Sequence, residues 1–327
     1  MKLTFAISDL LWENEHSLPE LHTPGLNSLL RFGKISRPFR KVSDLYGTFL
    51  WKGSLRMQAL HELGLPPDTP AVLASPVSQR MGMHSMNTLS GRNISANLQE
   101  AAIFCRDLND FYAADGIIFY PYRRDLWLAV LPQLPDWQVP AATDIFGQID
   151  GSMRAEGRDA AQWLRMQTEI QMFLHNHKLN EKRISDGMPA LNGLWLWPDS
   201  EGQGVSGLIA ADNDWGNNRH HALPYDWAAA ERWQTEENTD GCHDGAVVFL
   251  EDLSATQHSG DIWAYQTVLE DWDKRFFAPA WQALREGCLT TLNIHSNGGS
   301  LTVRAKAHRA FWKRKKTLKD WSDLSET

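Results

Sequence analysis

Residues 159–177 have the sequence DAAQWLRMQTEIQMFLHNH, and residues 191–197 have the sequence LNGLWLW. In the first stretch the apolar side chains recur at steps of three and four residues, which predicts an amphipathic helix. In the second stretch an apolar run follows a glycine, which predicts a short buried strand. A long helix followed by a buried strand is typical of layered α/β folds.

The same alternation extends along the rest of the chain. Helices are predicted over 97–114, where Asn97 and Glu100 have the spacing of a capping box, and over 262–284. Strands and hairpins are predicted at 71–74, 117–130, 207–211, 246–250 and 289–303. Strands that alternate with helices predict an α/β fold, and the hairpins predict a mixed β-sheet with flanking helices.

The length of 327 residues allows two domain arrangements. One is a single compact unit over 1–327. The other has two lobes, 1–131 and 156–327, joined by the connection 132–155, which contains several prolines.

Composition places the chain among globular proteins, with 43% hydrophobic and 22% charged residues. No apolar run approaches the roughly 18 residues that span a bilayer, and the apolar stretch after Met1 is too short for a signal peptide. We therefore expect a cytoplasmic protein with no membrane association. The three cysteines are far apart, which argues against a disulfide framework.

The end of the chain is strongly basic. Residues 301–319, here called the basic segment, contain eight Lys and Arg and no acid, whereas residues 1–300 contain 24 basic and 37 acidic residues. A helix is predicted over 305–319. Its basic and aromatic residues suit a nucleic acid or an acidic protein partner, and the alternative is a solvated helix that balances an acidic body. The candidate interaction residues are Lys306, Arg309, Phe311, Trp312, Lys313, Arg314, Lys315 and Lys316.

The central region carries a specific pattern of residues. The stretch TEIQM at 168–172 is followed by His175, His177, Asn180, Arg183, Gly187 and residues 191–197. With residues 74–116 and 310–314, this pattern resembles the RpfE-type family of proteobacterial cytosolic proteins, whose members are labelled predicted cofactor-independent phosphoglycerate mutases. The resemblance implies kinship with the alkaline-phosphatase superfamily. Members of that superfamily bind two divalent metal ions through Asp and His and use a Ser or Thr that becomes phosphorylated.

The metal motifs that the resemblance implies are incomplete in this chain. The superfamily has Asp-Gly after the first strand and Asp-His-Gly after a late strand, whereas Asp9 is followed by leucine and residues 243–245 are His-Asp-Gly. The glycine loop of the family, Trp-Gly-x-Gly, is also altered, because Trp197 is followed by proline. The candidate ligands for a divalent ion such as Mn²⁺ are Asp9, Asp212 and Asp214, although Asp212 and Asp214 also suit a polar turn.

These differences favour a non-catalytic interaction or regulatory protein, without a cofactor, on a degenerate alkaline-phosphatase-like scaffold. The alternative is a metal-dependent phosphoryl-transfer enzyme that resembles cofactor-independent phosphoglycerate mutase. For the central motif we predict a structural role. Glu169, Gln171 and Asn192 should be at least partly buried and hydrogen-bonded to backbone near Trp195 and Trp197.

Overall fold

The computed structural model describes residues 1–12, 18–36, 41–81, 85–150, 155–205, 207–213, 216, 220–237 and 245–322. Within these ranges the chain forms fourteen strands and eleven α-helices. The strands are β1 (Lys2–Ile7), β2 (Lys34–Ser36), β3 (Lys52–Ser54), β4 (Ala71–Met81), β5 (Ser85–Leu89), β6 (Ile118–Tyr120), β7 (Trp127–Val130), β8 (Gly147–Asp150), β9 (Gly193–Trp197), β10 (Glu201–Gln203), β11 (Leu208–Ala211), β12 (Ala246–Leu250), β13 (Thr291–Ser296) and β14 (Gly299–Arg304). The helices are α1 (Pro24–Phe32), α2 (Val42–Phe49), α3 (Leu55–Glu62), α4 (Leu98–Phe111), α5 (Ala160–His175), α6 (Lys178–Ser185), α7 (Trp227–Glu237), α8 (Asp252–Ser259), α9 (Ile262–Trp272), α10 (Ala278–Glu286) and α11 (Leu318–Ser322).

The chain divides into two compact units, and the second is inserted into the first. Unit one comprises Met1–Lys52 and Gly202–Thr327, and unit two comprises Gly53–Glu201. This division differs from the expected lobes because β1 pairs with β12 and β13, which brings both ends of the chain into one sheet. Residues 132–155 do not simply connect two lobes, since they contain β8, which pairs with β5 inside unit two.

Unit one is built on a six-stranded sheet with the order β11-β12-β1-β13-β14-β2. The first four strands are parallel, and β14 and β2 are antiparallel to their neighbours. On one face of β1, Leu3, Phe5 and Ile7 join a buried core with residues of α1, α9 and α10. The predicted α/β class, with a mixed sheet and flanking helices, is confirmed.

Unit two contains a second sheet with the order β6-β7-β4-β5-β8, and β9 also pairs with β4. All these pairings are antiparallel. Helix α5 packs against β9, where Trp163 Nε1 donates to the Leu196 carbonyl at 2.7 Å and Gln167 Nε2 donates to the Leu194 carbonyl at 2.6 Å. The long predicted helix and the buried strand that follows it therefore lie against each other.

Several local predictions are confirmed. Helix α4 begins at the expected capping box, in which Asn97 Oδ1 accepts from the Glu100 N–H at 2.9 Å. Both predicted hairpins form, as β6 with β7 and as β13 with β14. The helix predicted over 262–284 is interrupted by a π-helical turn at Asp273–Phe277. None of the helices in the described ranges is long and apolar enough to cross a membrane.

The prediction of a helix over 305–319 is wrong. A 3-10 turn covers Ala307–Arg309, and α-helix returns only at α11. The side chain of Arg31 donates to the carbonyl groups of Phe311 and Lys313, each at 2.7 Å. These carbonyls are held by another part of unit one, and neighbouring cations destabilise a helix, so the local helical pattern does not prevail.

Candidate functional site

The four parallel strands of unit one end at the same edge of the sheet. The pairing of β1 with β12, continued past the strand ends, places Ser8 opposite Glu251. The pairings of β11 with β12 and of β1 with β13 likewise place Asn213 beside Glu251 and Asn297 beside Ser8. Open α/β sheets hold their functional groups at this edge. We define the carboxyl-edge cluster as Ser8, Asp9, Tyr46, Asn213, Glu251, Ser254, His258 and Asn297.

Asp9 follows β1, is 4% exposed, and has a left-handed backbone φ of 56°. Its N–H donates to Asn297 Oδ1 at 2.9 Å, and the Asn297 amide donates to Asp9 Oδ1 at 3.2 Å. His258 Nε2 lies 3.2 Å from Asp9 Oδ2. Burial alone would raise the pKa of Asp9, but His258, with smaller contributions from Ser254 and Asn297, holds it below the usual value of 3.8. The protein itself therefore stabilises the ionised carboxylate.

Glu251 has a similar environment at the end of β12. Its Oε2 accepts from the Tyr46 hydroxyl at 2.9 Å and from the Asn213 amide. Burial, followed by the nearby Glu251 charge, raises the pKa of Tyr46 well above its usual value of 10.0, so this hydroxyl keeps its proton. Beside these groups, Ser8 Oγ and Ser254 Oγ lie 2.6 Å apart.

The described residues do not fit the two-metal centre that the resemblance implies. Such a centre needs several carboxylate and imidazole ligands that converge on two cations. Asp9 and Glu251 instead face amide, imidazole and hydroxyl groups of the protein, and Asp212 is exposed. In the ranges that the structure describes, no group of three or more His, Cys, Asp or Glu residues is placed to hold a metal ion. Asp214 lies outside the described residues.

Sequence reasoning missed most of this cluster. Asp9 was a candidate, but Tyr46, Glu251, His258 and Asn297 were not assigned to a common site. For Glu251 a signal was present, because it directly follows the predicted strand 246–250 and polar groups at strand ends are functional candidates in α/β sheets. Tyr46 lies on a helix and gives no such signal.

The polar residues of the central motif form hydrogen bonds inside unit two. Asn192 donates to the Gln79 carbonyl and accepts from the Gln79 N–H, both at 2.7 Å, as predicted for a backbone contact. Glu169 is half-buried and accepts from the Tyr112 hydroxyl at 3.1 Å. Gln171 is exposed and donates to the Gln79 side chain at 2.8 Å, so the predicted burial is wrong for this residue. Glu169 and Gln171 therefore contact side chains rather than the backbone.

The two tryptophans of the motif are buried in β9. Trp195 Nε1 donates to the Pro140 carbonyl at 2.9 Å, and its ring lies edge-to-face against Trp163 at 5.0 Å between centroids. Trp197 Nε1 donates to Ser75 Oγ at 3.1 Å. Burial with a satisfied N–H is the usual arrangement of a core tryptophan.

Arg183 connects several parts of unit two and is 1% exposed. Its guanidinium donates to Glu100 Oε2 at 2.7 Å, to the Pro189 carbonyl at 3.0 Å and to the Ile94 carbonyl. Together with the tryptophan contacts, this network shows that much of the pattern behind the family resemblance holds the inserted unit together.

The basic segment leaves two aromatic rings open to solvent. Phe311 is 76% exposed and Trp312 is 74% exposed, and their rings meet edge-to-face with centroids 5.4 Å apart. Lys313 Nζ donates to the Phe32 carbonyl at 3.0 Å, and Arg314 pairs with Asp320 at 2.5 Å. The exposed cations of the segment are Arg304, Lys306, Arg309, Lys313, Arg314, Lys315 and Lys319, and Lys316 is half-buried.

Comparison with known proteins gives similarities to solved structures. No protein-family model and no curated protein matches the chain. The chain is similar to the structure of the PH0037 protein from Pyrococcus horikoshii, with 12% identity, a TM-score of 0.47, and coverage of 97% of this chain and 90% of that chain. It is also similar to the cofactor-independent phosphoglycerate mutase from Thermoplasma acidophilum, with 15% identity, a TM-score of 0.35, and coverage of 92% and 89%. Neither similarity is close enough to assign a function to this chain.

Proposed function

We propose that this protein is a cytoplasmic, non-catalytic interaction protein whose basic segment binds single-stranded nucleic acid. The regulatory role that the RpfE-type resemblance implies is compatible with such binding. In this proposal the protein acts without a bound metal ion.

The exposed aromatic pair is the observation that carries the proposal. A Phe and a Trp side by side, each about three-quarters exposed, leave a large apolar area in water. Bases stack on such rings whatever their sequence, and each stacked base contributes about 1–3 kcal/mol. The segment around Phe311 and Trp312 is not helical, so both rings are presented from one short stretch of backbone.

The charges around the rings supply the second requirement of a single-strand site. Exposed cations precede and follow the aromatic pair, and residues 304–319 contain no acid. Arg314 pairs with Asp320, and its side chain is still 78% exposed. Phosphates of a single strand can therefore approach the segment while its bases reach the rings.

The carboxyl-edge cluster supports the non-catalytic part of the proposal. Asp9 and Glu251 occupy the edge at which an enzyme of this fold class would hold its metal ligands, yet both receive hydrogen bonds from protein side chains. These donors stabilise the charged carboxylates within the protein.

A binding titration tests the proposal with a labelled single-stranded oligonucleotide of about 16 nucleotides. Lys313, Arg314, Lys315 and Lys316 are changed together to Gln. The control changes four exposed cations on helices elsewhere, Lys178, Arg232, Lys274 and Arg285, to Gln. The slope of log affinity against log salt should flatten by about 0.7 per lost phosphate contact, so by about 3 in the first variant. The control should keep the wild-type slope, and neither variant should lose much stability, because exposed charges contribute little.

A second variant, Trp312→Ala, separates nucleic acid from an acidic protein as the partner. Loss of one stacked base should weaken oligonucleotide binding by about 1–3 kcal/mol with little change in salt slope. Polyglutamate serves as the acidic comparison. The nucleic-acid proposal is wrong if the wild-type protein does not bind the oligonucleotide. It is also wrong if the wild-type protein binds polyglutamate equally well and Trp312→Ala does not change the affinity for the oligonucleotide.

A further inference from the structure

The face of the sheet in unit one that lies opposite the buried core carries a group of polar side chains. The strand register aligns Lys34, Thr302, Asn293 and Thr4 in a single row across β2, β14, β13 and β1. Thr302 Oγ1 donates to Asn293 Oδ1 at 2.9 Å, and Asn293 Nδ2 lies 3.4 Å from Thr4 Oγ1. Leu3 and Leu292, which directly precede Thr4 and Asn293, point into the buried core on the other face of the sheet.

A second row runs beside the first. The pairings place Arg304, Thr291 and Lys2 next to one another across β14, β13 and β1. Lys2, Lys34 and Arg304 are exposed, and the threonine and asparagine side chains between them are half-buried. Neither row contains an acid, in a chain whose net charge is -8. We call these seven residues the polar face: Lys2, Thr4, Lys34, Thr291, Asn293, Thr302 and Arg304.

Helix α2 covers the part of this face that lies near the carboxyl edge. Its Tyr46 and Phe49 contact Phe249 and His295, which stand nearer the carboxyl edge of the same side of the sheet. The two polar rows lie closer to the opposite edge. Among the described residues of the two rows, Lys2, Lys34 and Arg304 are exposed, and their charge suits an anion.

The basic segment begins at one end of the polar face. Arg304 belongs to both, because it ends β14 and opens the run of cations. Lys313 contacts the end of α1, since its Nζ donates to the carbonyl of Phe32, two residues before Lys34 of β2. The basic segment therefore contacts this edge of the sheet at Arg304 and near the start of β2.

A cavity of about 470 Å³ adjoins the far end of the polar face. Thr4 and Asn293 provide polar groups in it, and glycines in two loops keep parts of its wall free of side chains. This volume is within the range of sites for small molecules. The lining residues are Lys2, Thr4, Phe49, Gly204, Val205, Gly207, Gly245, Ala246, Val247 and Asn293.

We propose that the polar face extends the nucleic-acid site and that the cavity takes one base of the same strand. This inference rests on the function proposed above. Lys34 and Arg304 contact phosphates, and Thr4 and Asn293 offer hydrogen bonds to the edge of a base. From Lys34 to Thr4 the row crosses three strand spacings, about 14 Å, which is long enough for a short stretch of an extended strand.

The test uses full-length protein and the same labelled oligonucleotide in a salt titration. The double variant Lys34→Gln, Arg304→Gln should flatten the salt slope by about 1.4, for two lost phosphate contacts. Thr4→Val, which keeps the shape of the side chain, should lower affinity severalfold without changing the slope. Arg232→Gln, Lys274→Gln is the matched control, since both residues are exposed cations of unit one on helices. Thermal unfolding of each variant confirms that the fold is intact.

The outcomes separate this inference from the proposed function. If wild type does not bind the oligonucleotide, the proposed function itself fails. If wild type binds and loses affinity only on changes at residues 311–316, while the Lys34, Arg304 variant keeps the control slope, the basic segment binds alone and the polar face is excluded. An unchanged affinity in Thr4→Val overturns the assignment of the cavity.

Discussion

The substitution Asp9→Asn tests whether the Asp9 carboxylate is stabilised by contacts within the protein or is a ligand for a metal ion. Asn has the same shape and, like Asp, tolerates the left-handed backbone, so φ of 56° is not an added strain. It removes only the negative charge and replaces one oxygen by a donor. The change is therefore directed at the electrostatics of the carboxyl-edge cluster.

Its effect on stability can be worked out from the contacts. Asp9 is 4% exposed and lies 3.2 Å from His258 Nε2, and leaving a buried polar group without its partner costs about 1–3 kcal/mol. The Asn side chain can still accept from the Asn297 amide, so we expect the free energy of unfolding to fall by about 1–2 kcal/mol. Urea unfolding near neutral pH measures this difference in the free energy of unfolding.

The difference in the free energy of unfolding between wild type and Asp9→Asn should depend on pH in a defined direction. The folded pKa of Asp9 is below the usual 3.8, so its stabilising contribution is fully present above that value and is lost as the pH falls through the folded pKa. Wild type and Asp9→Asn should therefore converge in stability at acid pH. Unfolding curves at a series of pH values would show this convergence.

Metal addition provides the refuting result. If the protein holds the carboxylate itself, EDTA and Mn²⁺ should leave the melting temperatures of both proteins unchanged. A site that binds Mn²⁺ would stabilise the fold by about 2.7 kcal/mol at a concentration of 100 times Kd. If Mn²⁺ raised the melting temperature of wild type but not of Asp9→Asn, Asp9 would be a metal ligand and the non-catalytic interpretation would be wrong.

Two further predictions concern the inserted unit. Arg183→Leu should lower the free energy of unfolding by about 3–5 kcal/mol because Glu100 is left buried without its partner, whereas the exposed neighbour Lys182→Gln should have little effect. Asn192→Ala should cost about 1–3 kcal/mol because it removes both bonds to the Gln79 backbone, whereas Gln171→Ala should stay within about 0.5 kcal/mol. Urea unfolding measures the free energy of unfolding of all four variants. Equal losses in Gln171→Ala and Asn192→Ala would contradict the different roles that the structure gives these two residues.

The sequence by itself determined the features that depend on neighbouring residues. The start of α4 just after Asn97 follows from a capping box four residues long, and the two hairpins follow from apolar runs that flank short turns. The α/β class follows from the alternation of such elements. The sequence also located Asp9 and the basic segment as candidates, because both are visible as local patterns.

Only the tertiary structure decided which distant residues share a site. The carboxyl-edge cluster joins Asp9, Tyr46, Glu251 and Asn297 because β1 pairs with strands from the far end of the chain, and no local pattern encodes that pairing. The same pairing divides the chain into two units at positions that composition does not mark. The basic segment departs from its helical pattern because Arg31, about 280 residues away in sequence, binds its carbonyl groups. Long-range pairing and side-chain contacts outweigh local propensity wherever that propensity is weak.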